Sequence, residues 1–136
     1  MPDPSRPTIS EAEREVLKTL WQLGPSLVRD IVSLLEQMDQ PWSRSTVITL
    51  LQRLEKKGYV DSDRSGFAYR FRAIVSRDDL AQQRLDELAG ELYAGEATPL
   101  VMAFAERQKF SDDEIKQLRE MIDQLESKKR KRKRKR

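Results

Sequence analysis

Residues 42–72 read WSRSTVITLLQRLEKKGYVDSDRSGFAYRFR, and their period changes once. Val47, Leu50, Leu51 and Leu54 recur at i, i+3, i+4 and i+7, the inward stripe of an amphipathic helix. Ser43 stands where an N-cap is needed. Lys56 and Lys57 fall in the last turn, where cations complement the helix dipole, and Gly58 suits a left-handed C-cap. Beyond it the period becomes two. Tyr59 and Val60 begin one strand, Ser65 and Gly66 mark a turn, and Phe67, Tyr69 and Phe71 alternate with Ala68, Arg70 and Arg72. Such alternation predicts an inward aromatic face and an outward basic one.

Two helices are predicted before this unit. Ser10 and Glu13 have the spacing of a capping box, and Val16, Leu17, Leu20 and Leu23 follow at helical intervals until Gly24 and Pro25. A second helix is expected from about Ser26 to Met38, with Leu27, Ile31, Leu34, Leu35 and Met38 as its stripe, and Asp39 to Pro41 as its break. Trp21 and Trp42 are expected to serve packing. Three helices and a hairpin within residues 9–75 give the order of a winged helix-turn-helix. The fold class is therefore mainly α with a small β-hairpin, and residues 1–8 are expected to be disordered.

The rest, residues 76–127, reads as a helical dimerisation region. Ser76 and Asp79 start a helix with Val75 stapled to Leu80; it runs to about Tyr93, with Leu85, Leu88 and Leu92 inside, and ends at Gly95. Thr98 and Pro99 open a short helix holding Leu100, Val101 and Phe104, with Pro99 at the favoured first position. Ser111 and Glu114 cap a last helix, with Phe110 and Ile115 as its staple. Ile115, Leu118, Ile122 and Leu125 make a narrow seam. The seam fits a second copy of the chain, although it also fits closure of a monomer core; the small size of this region favours the dimer.

Composition excludes several functions. The 136 residues contain no cysteine and no histidine, which removes disulfides, thiolate metal sites and the commonest general base. No metal ligand set, cofactor site or catalytic carboxylate pair is found, so an enzyme has no supporting residues. No long apolar run predicts membrane insertion, and the first residues lack the apolar core of a signal peptide, so a cytoplasmic protein is expected.

Charge is uneven. The net charge of +3 depends on nine consecutive cations, Lys128–Arg136; without them 17 basic residues face 23 acidic ones. Residues 42–72 carry 7 basic and 3 acidic residues, whereas residues 73–127 carry 6 and 13. An acidic chain with one basic segment points to a local polyanion contact. The third helix is the natural reader of a major groove, because Arg44, Ser45, Ile48, Thr49, Gln52 and Arg53 fall outside its core stripe. Ser43, Ser45, Thr46 and Thr49 can hydrogen-bond phosphates, and Lys56, Lys57, Arg64, Arg70 and Arg72 can flank them. Arg44, Arg53, Lys56 and Lys57 equally fit an ordinary solvated face.

The whole pattern resembles the BlaI/MecI/CopY family of bacterial repressors, the penicillinase-repressor type. The resemblance rests on residues 9–13 (ISEAE), Val16-Leu17, Leu20-Trp21, Gly24-Pro25, Trp42-Ser43, Thr46-Val47, residues 49–54 (TLLQRL) and residues 56–60 (KKGYV). Gly66, Ala68-Tyr69, residues 75–77 (VSR), residues 100–104 (LVMAF), residues 111–115 (SDDEI) and Leu118 extend it to residues 9–126. It implies a homodimeric repressor on double-stranded DNA with an inverted-repeat operator. Base reading would fall to Thr46, Thr49 and Arg53, with Trp42 and Ser43 near the backbone and Tyr69 in the wing. Dimerisation would use Leu88, Leu92, Leu100, Phe104, Ile115, Leu118, Ile122 and Leu125. The antibiotic-responsive branch is relieved when a membrane sensor-protease signal leads to cleavage, and the matching bond is Ala103–Phe104, although family members with known cleavage have Asn before the Phe. The copper-responsive branch uses cysteines that this chain lacks. Family members often carry Lys at the place of Ser45, a polar or basic residue at that of Ile48, and a basic residue at that of Phe67.

The tail, residues 128–136, lies outside the family pattern. It reads either as a solvated, disordered end or as a contact for nonspecific DNA, RNA or an anionic membrane surface. A second function remains open: a winged helix for protein–protein assembly, anchored to nucleic acid by the tail, with Ile48 as its contact.

Overall fold

The computed structural model of the chain describes residues 6–135. Helix α1 spans Glu11–Leu23 and is capped by Ser10, whose Oγ accepts a hydrogen bond from the Glu13 amide at 3.1 Å. The expected reciprocal half of that capping box is missing. The Glu13 carboxylate is buried and accepts instead from Lys57 Nζ at 2.9 Å. A long-range cation outcompetes the local amide, because a charge-assisted bond is the stronger one in a buried place.

After Gly24, with φ of 77°, Ser26–Leu27 forms strand β1, and helix α2 begins only at Val28 and ends at Gln37. The second helix is thus three residues shorter than its pattern suggested, two at its start and one at its end. Ser26 and Leu27 pair antiparallel with Phe71 and Arg70 of strand β3 (Arg70–Ala73), and β3 also pairs with strand β2 (Val60–Asp63). The sheet order is β1-β3-β2. The predicted hairpin therefore gains a third strand, whose two residues are too few to show a period.

Helix α3, Arg44–Lys57, has the expected ends: Ser43 Oγ accepts from the Thr46 amide, and Gly58 is left-handed at φ 87°. Its stripe meets Val16, Leu17 and Leu20 of α1 and Ile31 and Leu35 of α2, closed by Tyr59, Val60, Phe71 and Val75. Trp21 and Trp42 pack at the edge of this core, and Trp21 Nε1 donates to the Val75 carbonyl at 2.7 Å. Of the three alternating aromatics only Phe71 is buried, while Tyr69 is about half exposed and Phe67 fully exposed. The strand starts at Arg70, so residues 64–69 are a loop in which alternation does not fix a face.

Residues 6–8, expected to be disordered, are held. Tyr59 donates its hydroxyl to the Pro7 carbonyl at 2.6 Å, Lys57 Nζ reaches the Thr8 carbonyl, and the Arg6 guanidinium lies 5.3 Å from the Tyr59 ring centre. Residues 1–5 of that expected segment lie outside the described residues.

Helix α4, Arg77–Leu92, carries a complete capping box between Ser76 and Asp79. Val75 and Leu80 both join the core above, so the first turn of α4 belongs to the winged-helix unit. Leu85, Leu88 and Leu92, expected inside, are all exposed; Leu80, Gln83 and Ala89 are the buried residues of α4. Helix α5 runs over Ala97–Glu106 from Glu96, so Pro99 sits third in the helix and not first. The early helical amides have no intrahelical acceptor, which makes that place equally harmless for proline. Helix α6 spans Asp112–Arg134, again with a full capping box, between Ser111 and Glu114. It continues through the tail, contrary to the expected disorder of residues 128–136; Arg136 lies outside the described residues. Lys and Arg are good helix formers and are favoured at a C-terminus.

Candidate nucleic-acid interface

The first turn of α3 builds a polar rim from short side chains. Ser43 Oγ lies 3.1 Å from Ser45 Oγ and 3.0 Å from Thr46 Oγ1, and Thr49 Oγ1 donates to the Ser45 carbonyl at 3.0 Å. Ser45, Thr46, Thr49, Leu50 and Arg53 line one shallow hollow of about 280 Å³. Four of the predicted readers thus share a surface, as spacings of three and four residues along a helix require. Arg44, Ser45, Thr46, Thr49 and Arg53 are all exposed. The methyl and hydroxyl of Thr49 and the guanidinium of Arg53 can meet base edges, while the hydroxyl cluster and the free amides of the helix start suit a phosphate.

The cations divide into two groups. Lys57, expected as a DNA contact, is half-buried, and its ammonium is already held by Glu13 and the Thr8 carbonyl. Arg64 pairs with Glu55 at 3.2 Å and lies 5.0 Å from the Tyr69 ring centre, and Arg72 pairs with Asp61 at 3.1 Å. Among the described residues, Arg44, Arg53, Lys56 and Arg70 form no ion pair. Those four cations can therefore meet an external anion without breaking an ion pair. Hydrogen bonds from the Ser65 hydroxyl and amide hold the Asp63 carboxyl below its ordinary pKa, with a smaller contribution from Arg70. Trp42 is half-buried against the core, next to the Ser43 cap. Tyr69 remains in the wing, steadied by Arg64.

Ile48 departs from expectation. It is half-buried and packs against the core, because the inward arc of α3 is wider than its four-residue stripe. Glu13 was missed as the residue that fixes Lys57. Its spacing from Ser10 pointed to a local role, and nothing in the sequence links it to a residue 44 positions later.

The second surface is apolar. Helices α5 and α6 contain no buried residue. Leu88, Leu92, Phe104, Ile115, Leu118, Ile122 and Leu125 are all exposed, with Leu92 and Phe104 about two-thirds so, and Leu100 is half-buried. The Ala103–Phe104 bond lies inside α5. No helix among the described residues is long and apolar enough to cross a membrane.

The family model for the penicillinase repressor matches residues 9–124. The chain belongs to the penicillinase repressor family. The methicillin resistance regulatory protein MecI of Staphylococcus aureus (strain N315) is 30% identical over 115 residues, covering 85% of this chain and 93% of that relative. The penicillinase repressor of Bacillus licheniformis is 26% identical over 123 residues, covering 90% and 95% respectively. The solution structure of monomeric Bacillus licheniformis BlaI in complex with the blaP half-operator shares 29% identity, with a TM-score of 0.47, over 55% of this chain and 90% of that one. The penicillinase repressor family match ends at residue 124, just before the tail.

Proposed function

We propose that this penicillinase repressor family member is a DNA-binding repressor, working as a homodimer on an inverted-repeat operator. The exposed hollow on α3, with Arg53 uncompensated at its end, carries the reading. Kinship with proteins named as penicillinase repressors supports it. Arg53, Thr49 and Thr46 read bases; Ser43, Ser45 and Arg44 hold phosphates; Lys56, Tyr69 and Arg70 flank them. The uncovered apolar residues of α4, α5 and α6 supply the dimer contact, so two reading helices meet two half-sites. Relief by cleavage between Ala103 and Phe104 would separate the α6 seam from the reader, once α5 opens locally to expose the bond.

Replacing Arg53 or Thr49 by Ala tests the assignment. Each substitution should cost about 1–3 kcal/mol of discrimination between the selected site and random duplex, with little change in affinity for the random duplex. Unchanged discrimination in both variants would refute it. The assembly alternative loses its main support, since Ile48 packs against its own core.

A further inference from the structure

Residues 128–134 of the basic tail are not a loose appendage of α6 but its last turns, and this fixes how their charge is presented. Helix α6 rises 1.5 Å per residue, so Lys128–Arg134 and the C-cap Lys135 place eight cations on about 12 Å of helix axis. Duplex DNA carries one negative charge per about 1.7 Å, or about seven over the same length. The two linear charge densities therefore nearly match. The tail's cations are exposed, and among the described residues Arg130 with Glu126, at 3.6 Å, is their one ion pair. Lys128 with Arg132, and Lys129 with Lys133, stand four apart as like-charge pairs that weaken the helix until an anion neutralises them.

We propose that the C-terminal turns of α6 are a second DNA-binding element, one that grips the phosphate backbone of duplex DNA without reading its sequence. A membrane surface is the poorer partner. A helix that lies in a lipid interface needs an apolar face, and Leu125 is the last apolar residue of α6. Among the described residues, the acidic segment 73–127 engages the tail through one ion pair, from Glu126, which leaves the other cations to an external anion. The tail lies beyond the family match at residue 124, so the element adds to the reading surface of α3 and does not depend on it.

The test compares the full chain with a full-length variant in which Lys128–Lys135 are all changed to Gln, a residue of similar helix propensity. Both are titrated with a 30-base-pair random-sequence duplex over a range of salt, and with phosphatidylglycerol vesicles. The tail element predicts at least about a tenfold loss of random-duplex affinity at low salt. It also predicts a log–log salt slope shallower by about four, as expected if about half of the cations meet phosphates. Unchanged duplex affinity and slope would overturn it, as would a loss confined to the vesicles. Discrimination between selected and random sites should stay the same; that measurement separates failure of the tail from failure of the α3 reading.

Discussion

Lys57 shows how one residue changes role between sequence and fold. It sits in a run that reads as phosphate-binding, yet its ammonium neutralises the buried Glu13 carboxylate and pins the Thr8 carbonyl. Lys57→Ala should therefore cost about 2 kcal/mol of stability, by leaving a buried carboxylate without its partner. Affinity and salt slope of the folded protein should not change; a slope shallower by about one would return Lys57 to the DNA surface. Tyr59 carries a second residue-scale consequence. Burial raises its pKa above 10.0, opposed by the Gln83 hydrogen bond. The folded state thus holds the phenolic proton more tightly than the unfolded chain. The resulting stability is complete below about pH 10 and is lost as pH rises toward the higher folded value. Tyr59→Phe should be less stable at neutral pH but should lose less on going to alkaline pH. Parallel declines of the two melting temperatures would contradict this.

At the scale of elements, the helices announce themselves through caps and stripes. Ser43, Ser76 and Ser111 cap where local spacing puts them, because an N-cap bond spans only three residues. Elements fixed by distant partners were less legible. Strand β1 exists because β3 offers it an edge, and the wing's Phe67 and Tyr69 stay out because β3 starts only at Arg70. The grouping of four proposed readers on α3 was legible because one helix carries them, whereas the pairing of Lys57 with Glu13 needed the position of α1. The apolar residues of α6 belong to the same scale. Ile122→Glu places a charge in the proposed seam and should convert the dimer to monomers in sedimentation. Affinity for a two-half-site operator should fall by about 100-fold or more, while affinity for a single half-site should hold, because the linked second contact is lost. A dimer that survives this substitution would move the interface elsewhere.

The whole molecule is a chain of alternating charge. A segment with net +4, residues 42–72, precedes one with net −7, residues 73–127, and the cationic tail follows. The acidic segment also carries the unpartnered apolar residues, so two copies can meet there while their basic reading surfaces face DNA. The proposed dimer would then recognise DNA bivalently, with two-fold symmetry. Selection from a random duplex DNA library tests it most directly, with the full chain at salt high enough to suppress backbone-only binding. Enrichment of an inverted repeat, with half-sites spaced for a two-fold dimer, is the predicted result. A folded, dimeric protein that enriches no sequence would contradict the account.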